Sequence, residues 1–147
     1  MRAAGLFLVI ALLVTACTDT VSDEAIEDVA ERCDSVSQET LDLITTGITE
    51  ENPVLSNGAA VKSDYGPGLW IVAAQFNAVG FEDDRFLGIW AMVDGKEVAE
   101  ITGIASVDDF TRGISTWDDN VGDELSSLID GVSAAGACVQ LNQGATG

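Results

Sequence analysis

The chain has 147 residues, 47% of them hydrophobic, with six basic residues against 25 acidic ones and no histidine. A formal charge of −19 argues against nucleic-acid binding, whose affinity comes from phosphate neutralisation, and against lying flat on anionic lipid, which attracts basic segments. The lack of histidine removes the usual general base near neutral pH, the Ser-His-Asp and Cys-His nucleophile pairs, and histidine metal sites.

The chain opens with one positive charge at Arg2, followed by the uncharged run Leu6-Phe7-Leu8-Val9-Ile10-Ala11-Leu12-Leu13-Val14. A charged start, a short apolar stretch and small residues are the parts of a secretory signal. The stretch is too short for a bilayer span, which needs roughly 20 residues. Val14-Thr15-Ala16-Cys17 then resembles the bacterial lipobox. The reading is a lipoprotein signal peptide over 1–16, with Cys17 as the lipid-carrying first residue of the mature chain. Two acyl chains anchor stably where one is marginal, at about 0.8 kcal/mol per buried CH₂. All 25 acidic residues follow the cut with five basic ones, so the mature charge is −20. Plain solubility accounts for that charge; cationic partners are also compatible with it.

A short tether over 17–22 leads to one domain over 23–141 and a loose tail over 142–147. Of three cysteines, lipidation of Cys17 leaves Cys33 and Cys138. Outside the cytoplasm such a pair usually oxidises, so a Cys33–Cys138 disulfide is expected; two buried free thiols are the alternative. Val21, Ala25, Ile26, Val29, Ala30 and Cys33 recur at helical spacing and predict a helix near 23–34. Ser35-x-x-Gln38 reads as a capping box, opening a short helix with Leu41 and Ile44 inward and Gly47 as terminator.

The period then changes. Residues 59–63 are a short predicted strand, and 69–77 and 86–93 are predicted strands rich in aromatic and β-branched side chains. Asp94-Gly95 predicts a type I′ hairpin turn, with 98–104 as the return strand. That turn sets Trp90 opposite Ala99 and Gly88 opposite Ile101; a preceding hairpin centred near Gly80 would set Trp70 opposite Trp90. The face with Phe86, Trp90, Met92, Ala99 and Ile101 is then the core face, covered by the helices that Cys33 and Cys138 tie together. Leu69, Ile71, Ala73, Leu87, Ile89 and Val98 fall on the other side. That patch is either a surface for an envelope protein partner or is covered by a helix not placed correctly here. Thr116-x-x-Asp119 is another capping box, and Trp117, Val121, Leu125, Leu128, Ile129 and Val132 form one helical stripe. Gly131 would end that helix early. The fold class expected is α+β: a small, mainly antiparallel sheet of three or four strands packed by N- and C-terminal helices.

For chemistry the chain offers only carboxylates. Glu82-Asp83-Asp84 lies in a predicted loop, and Asp118, Asp119, Asp123 and Glu124 lie at a predicted helix start. Acids there favour a helix N-terminus, and solvated or capping roles suffice. They are also weak candidates for Ca²⁺ ligands, or for acid–base work on a glycan. No cofactor is expected.

Ala60-Val61-Lys62-Ser63, Trp70-Ile71-Val72-Ala73-Ala74, Gly88-Ile89-Trp90-Ala91 and a late Gly136-Ala137-Cys138-Val139, in that order, resemble a family of small, functionally uncharacterised lipoproteins of actinobacteria and their phages. The resemblance spans roughly residues 33–139 and implies an envelope location with no catalytic residues. The expectation is a non-enzymatic, lipid-anchored interaction module at the outer face of the cytoplasmic membrane. One version is phage-encoded interference with superinfection; the alternative is a lipoprotein that binds a cation or small solute.

Overall fold

The computed structural model describes residues 23–82, 86–117 and 129–144. Its elements, in chain order, are α1 (Asp23–Arg32), β1 (Asp34–Ser35), α2 (Gln38–Thr45), β2 (Val54–Lys62), β3 (Trp70–Asn77), β4 (Leu87–Val93), β5 (Gly103–Ser106), α3 (Asp109–Ile114) and α4 (Val132–Gly144). The strands form one five-stranded antiparallel sheet in the order β1-β2-β3-β4-β5. Each strand therefore pairs with its neighbour in sequence. The fold is α+β, with two more strands than the shortest sheet the sequence suggested.

The sheet is covered on both faces, because its inner strands are apolar without interruption. Ile71, Val72, Ala73 and Ala74 are all fully buried, as are Trp90, Ala91 and Met92. Such continuous runs are what strands buried on both sides require. One face carries Ala59, Val61, Ile71, Ala73, Ala91 and Ala105, packed with Val132, Ala135, Cys138 and Val139 of α4. The other carries Ala60, Val72, Ala74, Phe76, Trp90, Met92 and Ile104, packed with Leu41 and Ile44 of α2 and with Ile114 of α3.

This arrangement corrects the expected placement of the helices. The helices joined by Cys33 and Cys138 lie on the Ile71/Ala73 face, not on the Trp90 face. Leu69, Ile71 and Ala73 are buried there, and Leu87 and Ile89 are half-buried beside them. The apolar patch proposed for a partner is thus covered from within the chain, chiefly by α4, a helix not foreseen over 132–144. The helix that Gly131 was expected to end lies mostly outside the described residues, and Gly131 turns the chain into α4. It sits at φ 95°, and a Cβ there would lie 3.1 Å from Ile71 Cγ1, so only glycine lets α4 start so close to the sheet. The tail expected to be loose from 142 is helical through Gly144.

The hairpin register is also corrected. Trp90 pairs with Ser106, Met92 with Ile104 and Val93 with Gly103. Trp70 pairs with Met92 and Val72 with Trp90. Asp94 does take a left-handed conformation (φ 70°), but it begins a nine-residue loop rather than a two-residue turn. Thr102 Oγ1 donates to Asp94 Oδ2 at 2.5 Å and closes the loop's neck. Lys96, within the loop, reaches across to donate to the carbonyl of Ser35 at 2.9 Å and sits 5.7 Å from the centre of the Trp70 ring. Thr40 Oγ1 donates to the Lys96 carbonyl at 2.9 Å. These tertiary bonds outweigh the local preference for a tight hairpin.

Two caps differ from expectation as well. Ser37, not Ser35, caps α2: its Oγ accepts from Thr40 N–H at 3.2 Å, while Ser35 is drawn into β1 opposite Ala59. Leu41 and Ile44 face inward as expected. The strand expected over 59–63 begins earlier, at Val54, with a bulge between Ser56 and Ala59. Short helix α3, also unforeseen, is capped by Asp108, whose Oδ1 accepts from Thr111 N–H at 2.7 Å. Thr111 is buried because its Oγ1 accepts from the Ile89 N–H at 2.8 Å, satisfying a strand donor. Of the helix expected after Thr116, residues 118–128 lie outside the described residues. Trp117 itself leans on α2, its Nε1 donating to the Ile44 carbonyl at 2.8 Å.

Candidate functional site

The most developed surface feature is the seam between α1 and α4. Cys33, the residue after α1, and Cys138, inside α4, are disulfide-bonded with their Cα atoms 5.6 Å apart. Cys138 is fully buried and Cys33 half-buried. Beside the bond runs an open groove of about 550 Å³, with Val29, Ile129, Ala134 and Ala137 as its apolar walls and Arg32 and Asp130 as its polar ones.

Asp130 organises the groove's polar end. Its Oδ2 accepts from Arg32 Nη2 at 2.7 Å and from Asp64 N–H at 3.0 Å, while its carbonyl accepts from Ser63 Oγ at 2.7 Å. The Asp64 N–H and then the Arg32 guanidinium hold the Asp130 carboxyl below the usual aspartate range. Arg32 Nη2 also donates to the Lys62 carbonyl at 3.4 Å. The constellation therefore ties α1, the end of β2 and the entry to α4 at one corner. Arg32 and the Asp130 carboxylate are both engaged by these bonds, so the constellation acts as a tether between the three elements.

A second crevice, of about 190 Å³, lies on the other face among Leu43, Ile101, Thr102, Gly103, Ile104 and Trp117. Above the same face Phe76, Phe81, Phe86 and Phe110 form a ring cluster, with centroids 5.2–6.1 Å apart. Trp90 lies flat along its own strand over Gly88, where any side chain would overlap the indole. Two buried polar atoms on this face, Trp90 Nε1 and Ser106 Oγ, have no hydrogen-bond partner among the described residues, although their residues face each other across β4 and β5.

Of the acidic clusters, only Glu82 lies among the described residues. Glu82 uses its Oε1 to accept from the Gly80 N–H at 3.1 Å; Asp83 and Asp84 lie outside the described residues, as do Asp118, Asp119, Asp123 and Glu124. Among the described residues no three Cys, Asp or Glu side chains are placed to hold a metal ion, and no helix is long and apolar enough to cross a membrane. Cys17 and the signal segment over 1–16 also lie outside the described residues. Sequence reasoning missed the Arg32–Asp130 pair. No local motif links residues 98 positions apart, and only the pairing of Cys33 with Cys138, each close to one partner, hints at it.

The chain matches no protein-family model, no curated protein and no solved structure.

Proposed function

We propose that the mature chain is a non-enzymatic interaction module, held by a diacylglycerol on Cys17 at the outer face of the cytoplasmic membrane. The observation that carries this reading is Val14-Thr15-Ala16-Cys17 placed directly behind an apolar run that is too short to span. The Cys33–Cys138 bond supports it, since structural disulfides persist in oxidising compartments. That pairing also leaves Cys17 as the cysteine available for lipid. Five residues, Thr18 to Ser22, lie between Cys17 and the first residue of α1, Asp23, and could span roughly 20 Å at most when extended. The acidic body is repelled by anionic headgroups over about a Debye length, ~8 Å at physiological salt, so lipid and charge act against each other.

The test is metabolic labelling with a fatty-acid probe in a lipoprotein-processing bacterium. Label and membrane association should both disappear in Cys17→Ser. Mass spectrometry that found an intact Met1 terminus in the cytosol, with three free thiols, would overturn the reading. The resemblance to lipoproteins of actinobacteria and their phages supports a narrower version, interference with entry of a second phage. Unchanged infection of an expressing host by a panel of phages would dismiss that version and leave the anchored module standing.

A further inference from the structure

Among the described helices, α1 shows the least burial in its described side chains. Among its described side chains Asp28, Ala30, Glu31 and Arg32 are exposed, and Val29 alone packs on the core. Helix α4, by contrast, buries Val132, Ala135, Cys138 and Val139. Besides the disulfide, the polar hold on α1 seen among the described residues is Arg32, on Asp130 and the Lys62 carbonyl. Both side chains of that ion pair are 39% exposed, and pairs so exposed are weak and screened by salt. At ten residues, α1 is also shorter than the roughly 12–15 residues that hold a helix in isolation.

We infer that the Cys33–Cys138 bond is a redox clasp: its reduction by an external dithiol releases and melts α1 while the sheet and α4 stay folded. The reductant's thiolate meets Cys33 first, because Cys33 is half-buried and Cys138 is closed off. Attack on Cys33 Sγ breaks the Sγ–Sγ bond, and Cys138 leaves as a thiolate that takes a proton. The reductant's second thiol then attacks the mixed disulfide, returning Cys33 as a thiol and leaving the reductant oxidised to its own disulfide. Two electrons and two protons pass from the dithiol to the protein. The Cys138 thiol remains among apolar neighbours, where a free cysteine behaves as a small hydrophobe, so α4 keeps its seat. Ten helical residues span about 15 Å and up to about 35 Å when extended. Release would therefore more than double the length of that segment. This change of stand-off from a membrane rests on the anchor proposed at Cys17; the release itself does not.

The experiment is hydrogen exchange on the full chain, oxidised and after treatment with dithiothreitol, with thiol labelling to verify reduction. Amides of residues 28–32 should exchange at least ~10-fold faster once reduced, while those of β3 and β4 change less than ~2-fold. Trypsin should cut after Arg32 promptly in the reduced protein and in Cys33→Ala, and slowly in the oxidised one. Sheet amides accelerating together with α1 would show that the bond holds the whole domain and would overturn the clasp. Unchanged protection of α1 in verified reduced protein would overturn it equally, by showing that packing suffices.

Discussion

Beneath α2 and α3 the sheet presents rings and long side chains: Trp90, Phe76 and Met92, with Phe81, Phe86 and Phe110 around them. Beneath α4 it presents Ala59, Ala73, Ala91 and Ala105 beside Val61 and Ile71, with no aromatic ring buried there among the described residues. Large side chains bury about 150–250 Å² each and hold their layer without covalent help. Alanines bury little but let a helix backbone approach closely. The side with less area per residue is the one that carries the disulfide, and the comparison teaches that the bond supplements a thin layer.

The two sides should fail in opposite ways. Trp90→Ala on the ring side should cost about 3–5 kcal/mol in urea unfolding, the largest effect of any single change considered. A loss below about 1 kcal/mol would mean that the rings are not the frame of that layer. On the alanine side removal matters little and addition matters more. Ala73→Leu should cost about 1–3 kcal/mol by pushing α4 outward, and full stability in that variant would refute the close seating of α4.

The corner around Asp130 gives a smaller and pH-dependent effect. Its folded-state pKa lies below the ordinary 3.8, so its contribution is complete above that value and fades as pH falls through the folded-state value. Asp130→Asn should therefore be less stable than the parent at pH 7, by no more than about 1 kcal/mol given the exposure of the pair. The gap should close in acid and narrow with salt. A gap that widened below pH 4 would reverse the assignment. Smallest of all, Ser106→Ala should be neutral or stabilising by up to about 1 kcal/mol, because it removes a buried hydroxyl that has no partner among the described residues. A clear loss in melting temperature would reveal a partner for that oxygen.

Much of the sheet could be read from the residues themselves. Ile71 to Ala74 and Trp90 to Met92 marked inner strands, and their unbroken apolar character was the sign that both faces are covered. The Asp94-Gly95 pair obscured this. It suggested a tight hairpin, and the register drawn from it exposed one face. What undid that hairpin is Lys96 reaching Ser35 and Trp70, contacts between residues 26 or more positions apart, which no local motif encodes. Helix α4 was hidden by its glycines: Gly131 at its entry and Gly136 within it lower helix propensity, and burial on Ile71 and Leu87 offsets that loss. The Asp108-x-x-Thr111 cap was legible but short. At the α1–α4 seam the cysteine pair was visible in advance, whereas Arg32 and Asp130 meet only once α4 has docked.

The two bonded cysteines stand 105 positions apart. At a synthesis rate of about 5–20 residues per second, the second one trails the first by roughly 5–20 seconds. The meander needs no such wait, since each strand pairs with the one made just before it. The sulfur–sulfur link therefore cannot form until position 138 has been made, and a nascent chain cut short anywhere before it is left with an unspent thiol at position 33. Completed and truncated molecules differ by a chemical mark that a quality-control thiol enzyme could read.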